Sequence, residues 1–103
     1  MAETQDGLTA ALAALQPEIR QMLAEDLPVD AERSREAFAG QRWGQLREHI
    51  HRIKGTAQFC RLEALKLICA QIEDGLASEK PPDMEAMAQF SREVEHVLGA
   101  LRP

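Results

Sequence analysis

His51, Lys54, Gly55 and Gln58 stand three, four and seven residues apart, so on a helix they are surface neighbours. An imidazole is largely neutral near pH 7 and can act as a nucleophile, and a lysine one turn away can neutralise oxygens on whatever the ring accepts. That pairing suits phosphoryl transfer, in which positioning and charge stabilisation do most of the work. Gly55 costs about 1 kcal/mol relative to alanine in mid-helix; what it supplies is room for another protein's backbone beside His51. The segment is also electrically distinct. From Arg42 to Arg61 there are five basic residues (Arg42, Arg47, Arg52, Lys54, Arg61) and one acidic residue, Glu48, in a chain of net charge −5. A basic stripe on an acidic body suits an anionic group or an acidic partner surface. It does not suit nucleic acid, whose non-specific binding needs clustered basic charge, so no nucleic-acid partner is expected.

These side chains need a helix with its other side buried. Trp43, Leu46, Ile50, Ile53, Ala57 and Cys60 recur every three or four residues and predict a helix from about Arg42 to Cys60. Taking about 100° per residue from Leu46, the later apolar positions fall within about 40° of zero. On the same wheel Lys54 lies at about 80°, Arg47 at about 100°, Gln58 at about 120°, His51 at about 140° and Gly55 at about 180°, which makes one polar flank. Phe59, at about 220°, either faces solvent as a docking contact or packs under the N-terminal helix. His49 is about 200° from His51, so the two cannot share a metal from one surface, and no metal site is expected.

The remaining elements follow from composition and punctuation. Alanine, leucine and glutamate supply 40 of the 103 residues, whereas valine, isoleucine and threonine supply 11, which favours helices over sheets. Leu8, Ala11, Leu12 and Leu15 predict a short first helix. Pro17 opens a second, with Ile19, Met22, Leu23 and Leu27 on one face, and Pro28 ends or kinks it. Helicity resumes from Asp30 to Ala39, where Gly40 serves as the C-terminal glycine. Leu65, Ile68, Cys69, Ile72 and Leu76 mark a helix from about Leu62 to Ala77; the Pro81-Pro82 loop follows, and Met87, Phe90, Val94, Val97 and Leu101 share one face of a last helix from about Asp83. Met84, Met87, Phe90 and Trp43 are expected in the core, with Cys60 and Cys69 as buried reduced thiols. Short connections make neighbours antiparallel. The expected fold is all-α: one domain, residues 1–103, an up-and-down four-helix bundle with an additional short N-terminal helix. The longest apolar run, Ala10 to Leu15, is far short of a membrane span, and residues 1–6 lack the features of a secretory signal, so a cytoplasmic monomer is expected.

His51-Arg52-Ile53-Lys54-Gly55-Thr56-Ala57 resembles the H-x-(L/I)-K-G-(S/A)-(A/S) motif of histidine-containing phosphotransfer domains. Leu65, Cys69 and Ile72-Glu73 resemble the pattern of their following helix, and the likeness extends from about Ile19 to Leu101 through the Glu25-Asp26-Leu27-Pro28 break, a Gly turn and Trp43. The resemblance implies that His51 is phosphorylated, that Lys54 and Gln58 surround the phosphoryl group, and that Gly55 gives access to a receiver domain. Arg47, Phe59 and Arg61 are the further docking candidates; Arg61 stands where the family usually has glycine. The family shuttles phosphoryl groups between aspartates of response-regulator receivers, binds no cofactor itself and leaves Mg²⁺ to the receiver. The Arg-Ile-Lys-Gly and Ala-Gln variant is similar to modules at the C-terminus of hybrid sensor histidine kinases, which makes such a kinase a second expected partner. Two rival expectations are a phosphate-free helical adaptor that binds a receiver, and a structural metal bundle.

Overall fold

The computed structural model describes residues 2–102, with side chains described from residue 7 onward. Five helices follow in order: α1 (Ala2–Ala13), α2 (Pro17–Ala39), α3 (Trp43–Phe59), α4 (Glu63–Ala77) and α5 (Met84–Leu101), with no strand among the described residues. Helix α2 packs on α3, α3 on α4, α4 on α5 and α5 back on α2, which closes a four-helix bundle; α1 lies against α5. The core is the sum of the predicted stripes. Leu46, Ile50, Ile53 and Ala57 of α3 are all at most 1% exposed and meet Leu23, Leu27, Leu65, Cys69, Phe90, Val94 and Val97. Each such large aliphatic or aromatic side chain contributes about 1.5–3 kcal/mol of burial, enough to hold α3 in one rotational setting.

Three expectations are corrected. Pro28 does not end α2: the helix runs through it to Ala39, because Leu23 and Leu27 before it and Ala31, Ser34 and Ala37 after it are buried on one face. That shared burial outweighs one missing backbone hydrogen bond. Met84 is not core; it is 80% exposed in the first turn of α5, just beyond Asp83, whose Oδ1 accepts from the Ala86 N–H at 2.8 Å as the N-cap. Helix α1 ends at Ala13, leaving Leu15 half-buried outside it. Gly40 closes α2 after Ala39 as expected, at φ −87°, and the left-handed residue is the next one, Gln41, at φ 54°.

Gln41 is one of three non-glycine residues in that conformation among the described residues. Arg61 follows α3 at φ 60° and Glu79 follows α4 at φ 57°. Each sits in the same closing motif. The residue after it donates back to Ala37, Ala57 or Gly75, and its own N–H donates to Phe38, Gln58 or Leu76. The left-handed conformation costs roughly 1–2 kcal/mol for a residue with a Cβ. Arg61, near where the resemblance expects glycine, therefore takes the left-handed turn despite its side chain.

Candidate functional site

The buried stripe of α3 turns the opposite flank outward, where the His51 side chain is 67% exposed. Its ring is tethered at one nitrogen, with Nδ1 2.6 Å from Oε2 of Glu73 on α4. The other carboxylate oxygen, Oε1, lies 2.5 Å from Nζ of Lys54. One carboxylate thus engages both the imidazole and the ammonium. Glu73 is itself 9% exposed, set among the buried Leu65, Cys69 and Ile72 of its helix.

The electrostatics follow from this geometry. The Lys54 ammonium holds the Glu73 carboxyl below its ordinary value of 4.5, with the contact to His51 adding to the effect and burial opposing it. In turn the carboxylate raises Lys54 above its ordinary value of 10.5. An ionised carboxylate has no proton to give, so the 2.6 Å contact assigns the proton to His51 Nδ1, which donates to Glu73. In the neutral form of the ring the lone pair then lies on Nε2. No neighbouring atom lies within 4 Å of where a Cβ on Gly55 would stand, so the surface one turn beyond the ring is open. The thiols take no part: both are buried, and desolvation pushes Cys69 up to about 12 and raises Cys60 as well, so both are protonated and inert.

The structure joins Lys54 to His51 through Glu73, but not Gln58. Gln58 is exposed two turns farther on, roughly 10 Å along the axis, and Arg61 lies beyond the end of the helix. Arg47 is exposed one turn before His51. The basic stripe is also weaker than its composition suggests. Lys54 is paired with Glu73 and Arg52 with Asp30 at 3.7 Å, whereas Arg47 and Arg61 form no ion pair among the described residues. Phe59 resolves to the solvent side: it is 68% exposed and borders a groove with Ala11, Leu15 and Ile19. Met22, assigned to an apolar face from its spacing, is 39% exposed and borders an adjoining groove with Arg52 and Thr56. Glu73 was not among the site candidates read from the residues. The signal was present, however, because a carboxylate at the fourth position of the Leu65, Cys69, Ile72 stripe needs a buried partner.

A four-helix bundle that presents an outward-facing imidazole held by a carboxylate from the next helix has the geometry that a histidine-bearing transfer module needs. Comparison gives the family. The model of the Hpt domain matches residues 18–102, and the chain belongs to that family. Sensor histidine kinase GacS of Pseudomonas protegens is 31% identical over 94 residues, which cover 91% of this chain; the chain spans about a tenth of that relative's length. No solved structure gives a significant match. The role that goes with this family is phosphotransfer in a phosphorelay. No helix among the described residues is long and apolar enough to cross a membrane.

Proposed function

We propose that His51 accepts a phosphoryl group from the aspartate of one receiver domain and passes it to the aspartate of another. The observation that carries this reading is the exposed His51 ring with Nδ1 engaged by Glu73, which leaves Nε2 as the attacking atom. In acceptance the Nε2 lone pair forms a bond to phosphorus, and the electron pair of the breaking P–O bond returns to the donor carboxylate. The ring then carries a positive charge beside Glu73, while Lys54 offers the nearest ammonium to the phosphoryl oxygens. Gln58 completes the surroundings of the group by resemblance, although two turns separate it from His51. Mg²⁺ belongs to the receiver, and this chain supplies no cofactor.

Gly55 and Phe59 form the receiver-docking face, and Arg47 and Arg61 steer an acidic receiver toward it. The chain works as a cytoplasmic monomer, and its likeness to a segment of a sensor kinase supports a role next to a hybrid kinase. The test is intact-mass and peptide mapping after incubation with phosphorylated, Mg²⁺-loaded receivers, with His51→Gln alongside. One added phosphoryl group on the His51 peptide, absent in the variant, is expected. Equal phosphorylation of His51→Gln would overturn the assignment, and receiver binding without transfer would establish the adaptor instead.

A further inference from the structure

The contact between Glu73 and His51 matters as much for giving the phosphoryl group away as for taking it. This inference rests on the reading of His51 as the phosphoryl carrier. When phosphohistidine donates, the Nε2–P bond breaks, its electron pair returns to the ring, and a receiver carboxylate oxygen forms the new P–O bond. If Nδ1 still carries its proton, the ring departs as neutral imidazole. If that proton has been lost, the ring must depart as imidazolate, a far poorer leaving group. The state of Nδ1 therefore decides whether the stored group can be passed on.

We propose that Glu73 is a positioning residue that keeps the Nδ1 proton on the phosphorylated ring, so that His51 remains a competent donor into mildly alkaline solution. The distance already places the carboxylate 2.6 Å from Nδ1, and its backbone sits in the buried face of α4, so the contact does not depend on a mobile surface chain. The charged surroundings single out Glu73. Among the described residues α2 and α4 are the helices that pack most closely on α3, and α5 meets it through the apolar core. From α4, Glu73 touches the ring, and Asp74 acts on Lys54. From α2, Asp30 is occupied by Arg52. On α3 itself, Arg47, Arg52 and Lys54 are cations that disfavour a charged ring, and Glu48 is exposed one turn before it. Glu73 is the carboxylate in contact with Nδ1, and a second feature follows from its other oxygen. The Lys54 ammonium keeps Glu73 ionised, so the acceptor of the Nδ1 proton stays available at neutral pH.

The test loads wild type and Glu73→Gln with phosphoramidate, which needs no receiver, and follows transfer to one Mg²⁺-bound receiver domain from pH 6 to 9. Glutamine preserves shape and a carbonyl acceptor but removes the charge. The ratio of variant to wild-type rate should fall by about tenfold between pH 6 and the alkaline end, the effect of a tenfold weaker hold on the proton. A rate ratio that is constant with pH, whatever its size, would overturn the proposal, because a merely structural defect lowers transfer equally throughout. A measurement on the wild type keeps the test independent of how the variant folds: ¹⁵N spectra of the phosphorylated ring should show Nδ1 protonated at pH 8, and an unprotonated Nδ1 there also overturns it. Failure of the underlying reading looks different, since phosphoramidate would then place no phosphoryl group on the His51 peptide of either protein.

Discussion

Gly55→Ala should make this protein more stable and less able to transfer. The residue sits in the middle of α3, on its exposed side, with no atom within 4 Å of the added methyl. No clash opposes the change, and an exposed methyl gains little from burial, so the helix preference of alanine over glycine dominates at about 0.8–1 kcal/mol. For a domain of this size that corresponds to a rise in Tm of roughly 4–6 °C, read by circular dichroism at 222 nm. The same methyl stands one turn from His51, where a receiver's backbone is to approach. Displacing reacting atoms by about 1 Å can cost up to a hundredfold in rate, so phosphoryl acceptance should slow by roughly ten- to a hundredfold. Gly99→Ala is the control. It is exposed on α5, also with nothing within 4 Å, but it lies in the last turn, so its gain in Tm should be smaller and transfer unaffected. A fall in Tm for Gly55→Ala would refute the reasoning about open helix surface. A rise in Tm with wild-type transfer to every receiver would refute the docking role of Gly55.

The remaining predictions use other parts of the same geometry. Gly75→Ala should destabilise by about 1–3 kcal/mol in chemical denaturation, because its Cβ would lie 2.7 Å from the Lys80 carbonyl oxygen in the turn that closes α4. Phe59→Ala should weaken receiver binding in calorimetry while leaving Tm within about 1–2 °C, since the ring is 68% exposed and contributes little to the core. The Glu73 carboxyl is held below 4.5 in the folded chain, so its ion pair contributes fully above that value and is lost as pH falls below it. Urea midpoints of wild type and Glu73→Gln should therefore converge on acidification through and below pH 4.5, and a constant gap would contradict the linkage.

The rotational setting of α3 was legible in the residues alone. Leu46, Ile50, Ile53 and Ala57 repeat at the period of the helix itself, so the buried side, and with it the outward placement of His51, Lys54 and Gly55, is a local property. The four-helix architecture followed in the same way, from five such stripes and short connections. Pro28 was misleading because the local rule counts one lost hydrogen bond and cannot count the burial of Leu27 and Ala31 on either side. Gly40 marked the end of α2 correctly, while the left-handed residue is set by where the last turn closes, and that falls at Gln41.

The chemistry of the site was divided between the two levels. His51 and Lys54 lie within one turn of chain, so spacing was enough to place them on the same flank. Glu73 lies 22 residues beyond His51, and its meeting with the ring depends on how α4 is rotated and registered against α3. Packing between two helices settles that rotation, and no single helix carries it. The charge of the segment likewise changed meaning only when Asp30 and Glu73 arrived from neighbouring helices to pair with Arg52 and Lys54. Periodicity determines which side of a helix is buried because the repeat belongs to the backbone; which proton His51 holds was decided by the tertiary structure, because the carboxylate that accepts it comes from another helix.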